Sequence, residues 1–187
     1  MKLLRHIAIS FILFYSSSVF ATNLVLEAGV HSGGDTLATV QFIDGDTQSI
    51  KAGGLISFAV GAGFDINETF ESQLTFGYKF DSADAENGDI EFTRMPINAI
   101  FLYKSAQWRF GGGLTYHLDP TLEVSGAGAG FASNTDYDDA LGFLLDARYF
   151  FSQRAYVGGR FTFIEYESQA GATFDGNSIG VVIGAVL

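Results

Sequence analysis

The chain has no cysteine in 187 residues. Disulfide staples and thiolate chemistry are therefore excluded. Proline is almost as scarce, with two. Beyond residue 21 no window approaches the roughly 18 uninterrupted apolar residues that a transmembrane helix needs. Basic residues are few: 10 Lys and Arg against 21 Asp and Glu, a formal net charge of −11. No basic patch suits a nucleic acid. There is no phosphate-cradling glycine motif, no zinc motif and no His-x-Ser-Asn motif, and nothing implies a cofactor.

What is present begins with a leader. Lys2 and Arg5 make a positive start, Ile7 to Tyr15 an apolar stretch, and Val19-Phe20-Ala21 a small-residue cleavage site. Residues 1–21 read as a secretion signal removed after Ala21, leaving one domain over 22–187. The whole chain has 19 Phe, 8 Tyr and 23 Gly.

The organising stretch is Ala140 to Phe163. Leu141, Phe143, Leu145, Ala147, Tyr149 and Phe151 share one parity; Gly142, Leu144, Asp146, Arg148 and Phe150 share the other. After a short polar turn the pattern resumes, with Ala155, Val157, Phe161 and Phe163 against Gly158, Arg160 and Thr162. Alternation of this kind is the period of a strand. The same pattern recurs over 23–31, 51–64, 69–80, 91–103, 108–118 and the last residues from Ser178. A greasy face repeated this often behind a secretion signal faces lipid, and the charged face turns inward. In lipid every backbone N–H and C=O needs a partner, so strands span only as a closed barrel. The expectation is an all-β, eight-stranded antiparallel transmembrane up-and-down β-barrel.

Long connections (32–50, 81–90, 119–139, 167–176) alternate with short ones (65–68, 104–107, 152–154), as in bacterial barrels with long outer loops and short periplasmic turns. The run Leu37 to Ile43 would make a ninth strand. Bacterial single-chain barrels have even numbers, so 32–50 reads as a hairpin projecting beyond the membrane, turning at Asp44-Gly45. Tyr78, Phe80, Tyr103, Trp108, Tyr116, Tyr149 and Tyr166 fall at strand ends, where amphipathic rings meet the lipid–water interfaces. Pro96, inside a strand, predicts a bulge.

The stretches QWRFGGGLTYHLDP, DDALGFLLDARYFFSQRAYVGGRFTFIEY and DGNSIGVVIG resemble the OmpA-type small outer-membrane β-barrel family. The resemblance covers essentially the whole domain. It implies a monomer in the outer membrane of a Gram-negative bacterium, among outer-membrane lipid and lipopolysaccharide, assembled by the barrel-assembly machinery. Family members serve as structural proteins, adhesins, defence proteins, narrow pores and lipid-modifying enzymes. The chain ends at Leu187, without room for a periplasmic peptidoglycan-binding domain and without the usual terminal aromatic.

Inward parity collects Lys51, Lys79, Arg94, Arg109, Arg148 and Arg160 with Glu27, Glu71 and Asp146. An eight-stranded barrel is just wide enough for side chains to fill it, and buried charges there must pair. One reading is an internal charge network that plugs the lumen; the other is a narrow pore favouring anions. The long connections carry acids, among them Asp35, Asp44, Asp46, Asp81, Glu86, Asp119 and Asp175, and no base. Divalent cations are candidate partners there, with Asp136, Asp138 and Asp139 the densest group, although without EF-hand spacing. His31 and His117 lie on the inward face near Ser32 and Thr115. A lipid-modifying enzyme built on them is the third reading, and the expectation is that the protein is not an enzyme.

Overall fold

A computed structural model describes residues 22–41, 47–85, 88–126 and 134–187. The leader, the Asp44-Gly45 turn, Asp46 and Glu86 lie outside these residues. Eight long strands build the wall: β1 (Thr22–Ser32), β4 (Leu55–Asp65), β5 (Phe70–Ala85), β6 (Gly88–Ser105), β7 (Trp108–Val124), β9 (Ala140–Phe150), β10 (Ala155–Phe163) and β13 (Ser178–Val186). Each pairs antiparallel with the next, and β13 returns to β1, so the sheet closes and no edge is left. At the long-hairpin end, β2 (Thr36–Gln41) pairs with β3 (Thr47–Lys51) and β11 (Glu165–Glu167) with β12 (Thr173–Asp175), while the two-residue β8 (Thr135–Asp136) attaches to β7.

The strands tilt. From Thr22 the paired residues run Phe64, Ser72, Phe101, Gly112, Leu145, Phe161 and Ile179, and close on Ser32, ten residues up the starting strand. A stagger of this kind is what closes a barrel with strands about 35–45° off its axis.

The two faces separate as the alternation predicts. Leu141 and Phe143 are 62% exposed and Leu145 55%, whereas Leu144 is 1% and Asp146 4% exposed. Phe58, Leu74, Phe76, Phe101, Phe110, Leu114, Phe161, Val181 and Ile183 continue the exposed apolar band around the wall. So much contiguous exposed grease is untenable in water and fits hydrocarbon. Leu145→Arg should therefore cost about 2–4 kcal/mol of barrel stability near the bilayer midplane, read by urea unfolding in lipid vesicles. Glu165→Lys, at the long-hairpin end, should cost almost nothing; equal costs would mean that Leu145 does not face lipid.

Pro96 disturbs the wall as expected. Having no N–H, it leaves the β5–β6 ladder interrupted between the Phe76–Ile97 and Lys79–Arg94 pairs. On its other side the β6–β7 register shifts between Thr93 and Met95. On β13 the inward positions Gly180 and Gly184 let other side chains cross. A Cβ on Gly184 would strike the Tyr156 ring, and one on Gly180 the His31 imidazole.

Three expectations change. Residues 81–85 and 88–90 are not a loop but the ends of β5 and β6, and β7 runs on to Val124. Their inward positions hold Ala83, Ile90, Phe92, Leu122 and Val124, which need cover, so the hairpin stays zipped beyond the membrane band. Tyr166 is not an interface ring. It shares parity with Arg160 and Thr162, points inward and is 1% exposed. Lys51 does not begin a wall strand: it ends β3, in the projecting hairpin, and β4 starts four residues later.

Candidate functional site

The inward side chains lie in tiers. Nearest the tight turns, Arg109 Nε sits 3.2 Å from Glu71 Oε2. Its guanidinium also lies 4.6 Å over the Phe150 ring, and Gln73 donates to Glu71 Oε1 at 2.9 Å.

Above this is a buried quartet. Arg148, wholly inaccessible to solvent, grips Asp146 through Nε–Oδ1 at 3.0 Å and Nη2–Oδ2 at 2.9 Å. The same Nη2 is 3.1 Å from Glu27 Oε1. Arg160 reaches Asp146 Oδ2 at 2.6 Å and Glu27 Oε1 at 2.9 Å. Tyr156 donates its hydroxyl to Glu27 at 2.6 Å, and Arg148 donates to Gln73 Oε1 at 2.8 Å and to the Tyr156 oxygen at 3.1 Å. Two guanidiniums thus face two carboxylates. Burying four charges costs several kcal/mol each before pairing, and only dense charge-assisted hydrogen bonding of this kind offsets it.

Over the quartet is a cavity of about 30 Å³, lined by Lys79, Arg160, His31, His117, Ser57 and Asn98 among others. It is polar and roomy enough for about two waters. His31 Nε2 lies 2.8 Å from Ser57 Oγ, and Thr115 donates to Asn98 at 2.7 Å. His117 Nδ1 is hydrogen-bonded to the Tyr166 hydroxyl at 2.6 Å. Lys79 donates to Ser178 at 3.3 Å; Arg94 donates to the carbonyls of Phe92 and Gly54.

The uppermost tier is apolar. Phe92, Tyr137 and Tyr166 meet edge to face, Phe92 lying 5.6 Å from each of the other two. Ile50, Ala83, Ile90, Leu122, Val124 and Ile164 surround them. Arg94 stacks beneath Phe92 at 4.6 Å.

The nine expected interior charges therefore form no single network. Glu27, Asp146, Arg148 and Arg160 come together; Glu71 and Arg109 pair apart; Lys79 and Arg94 stand above, with no ion pair among the described residues; Lys51 is outside. Asp81, counted with the loop acids, is buried instead and accepts the Lys51 backbone N–H at 3.0 Å. Asp136, Asp138 and Asp139 do not converge into a group fit to hold a metal among the described residues. The Asp139 carboxylate accepts from the Tyr116 hydroxyl and the Asp119 N–H instead. Ser32 is not His31's partner; Ser57 is, and parity alone could not say which strand would face it. The quartet's tyrosine, Tyr156, was legible only as an inward position.

An eight-stranded closed barrel with a lipid-facing apolar band, a charged interior and long hairpins at one end is the architecture of small outer-membrane barrels. No family model and no curated protein matches the chain. Solved structures do. Ail, the attachment invasion locus protein of Yersinia pestis, solved with the heparin analogue sucrose octasulfate, is similar over 88% of this chain and 96% of its own, with 8% identity and a TM-score of 0.56. OprG of Pseudomonas aeruginosa matches over 88% and 96%, with 14% identity and a TM-score of 0.51. Neisserial surface protein A matches over the same shares, with 13% identity and a TM-score of 0.50. The chain has the small eight-stranded outer-membrane barrel fold.

Proposed function

We propose that the protein is a non-enzymatic barrel of the Gram-negative outer membrane that displays an acidic surface to the outside. Charge quartet and apolar tier plug its lumen. The observation that carries the reading is the one-signed charge of the long-hairpin end. Asp35, Asp89, Asp119, Glu123, Asp136, Asp138, Glu165, Glu167 and Asp175 are all exposed there, and the bases at that end, Lys51, Lys79 and Arg94, are half-buried or buried. A rigid scaffold with polar hairpins is where binding usually lies. A surface of this sign repels polyanions and draws basic partners. The sulfated ligand of the Yersinia protein is thus the wrong chemistry for this surface. The His31–Ser57 pair is read as structural, since His31 Nδ1 has no carboxylate or other hydrogen-bond partner to orient the ring.

Nanodisc-embedded barrel should bind polylysine, weakening at least tenfold between low salt and 0.5 M, and should ignore sucrose octasulfate. The same barrel should be electrically silent in a planar bilayer. Tight octasulfate binding would overturn the display reading, and steady anion-selective currents the plugged lumen.

A further inference from the structure

The interior does not balance its own charge. Arg109 has Glu71, and the quartet is neutral within itself. Above it stand Lys79 and Arg94, 5% and 1% exposed. Asp81 is buried two residues along β5 on the same face as Lys79, and part of its carboxylate is taken by the Lys51 N–H. Lys79, Arg94, Arg148 and Arg160 thus face Glu27, Asp81 and Asp146, so one cation is left over among the described residues. The polar bookkeeping is short in the same place. Three polar atoms among the described residues are buried without a hydrogen-bond partner, His31 Nδ1, Arg94 Nε and Glu27 Oε2, and Lys79 Nζ has Ser178 at 3.3 Å as its hydrogen-bond partner. A net charge on buried side chains is costly, and it either loses a proton or acquires a counter-ion.

We propose that the cavity between the quartet and the apolar tier holds one monovalent anion of halide size, bound by Lys79 and the polar groups around it. The cavity's volume of about 30 Å³ admits a chloride or bromide. The hydroxyls of Ser57 and Thr162 and the second amide N–H of Asn98 supply the neutral donors that halide sites use, and the ammonium supplies the charge. Glu27 lines the cavity too; Arg148 and Arg160 offset its charge at Oε1 while Oε2 has no partner, so the anion binds on the Lys79 side. The anion is a structural counter-ion. It goes beyond the display reading and does not depend on it, since a partner-free barrel would hold the anion just the same.

The test uses the whole barrel refolded in bromide, with crystals measured at the bromide edge. An anomalous peak within reach of Lys79 Nζ is expected; no peak in the cavity would overturn the proposal. In parallel, the midpoint of thermal unfolding is compared in sodium chloride and sodium gluconate at equal ionic strength. Chloride at a hundredfold excess over its Kd should raise the midpoint by about 5 °C. Lys79→Met should abolish the difference while keeping the heat-dependent gel shift of a folded barrel. Equal midpoints in the two salts for the unsubstituted barrel would show a neutral lysine among waters instead, and would likewise overturn the site. The result separates from that of the display reading, because polylysine binding outside is indifferent to it.

Discussion

Arg148→Met should cost about 3–5 kcal/mol of barrel stability. The guanidinium holds Asp146 in two hydrogen bonds and shares Glu27 with Arg160, and all four residues are buried. Removing it leaves two carboxylates facing one cation in a low-dielectric space. The cost is mostly that of the abandoned charge, not of the contact itself. The distinction is testable in one series. Arg148→Met combined with Glu27→Gln restores the one-to-one balance and should recover a third or more of the loss. Urea unfolding in lipid vesicles reads both. If the double variant is as unstable as the sum of the two singles, charge balance is not what the quartet provides, and packing around the guanidinium is.

Phe92→Ala should have an effect of similar size, about 3–5 kcal/mol by the precedent of buried aromatics, but confined to one end. Phe92 is fully buried, meets Tyr137 and Tyr166 edge to face and covers Arg94. It lies beyond the membrane band, where water rather than lipid surrounds the wall. Its loss should open the tips of β5, β6 and β7 to water without unfolding the barrel. Hydrogen exchange is the suitable measurement. Amides of 81–85, 88–93 and 121–124 should exchange at least a hundredfold faster, while those of β9 and β10 keep their protection. Uniform acceleration along all strands would show that the apolar tier and the membrane half unfold as one unit.

The wall was legible in the sequence because lipid imposes a demand that water does not. Every second residue of a spanning strand must be apolar, and Leu141, Phe143 and Leu145 against Leu144, Asp146 and Arg148 obey it without exception. Above the membrane that demand lapses. The outer face of β5 and β6 can be as polar as Ser82, Asp89 and Glu91, so composition over 81–90 reads as a loop. The signal that was present lay on the other parity, where Ala83, Ile90 and Phe92 continue the inward row of Lys79, Asp81 and Arg94 after its chemistry changes from charge to grease. Tyr166 carried the same signal, two residues on from Ile164 and in step with Arg160. Which charges meet was not legible. That depends on the ten-residue stagger, which lifts Glu27 of the first strand to the height of Arg148 and Arg160, and no periodicity within one strand encodes its offset from another.

Glu27 sits on β1, and every partner it has in the quartet sits on β9 or β10, on the far side of β13. These contacts span more than a hundred positions of chain and straddle the seam where the first and last strands join. During assembly, the β9–β10 hairpin therefore carries Asp146, Arg148 and Arg160 with one positive charge too many until β1 arrives. Seam closure is the event that cancels it, just as Leu24 and Leu187 exchange their backbone hydrogen bonds at the tight-turn end. The bare glycines of β13 leave Tyr156 free to lean across and meet the incoming carboxylate. Contacts of such long range are slow to form, and a sheet that has not yet closed carries the unpaired charge until they do. Its unpaired charge is a penalty on remaining open that no single hairpin can relieve.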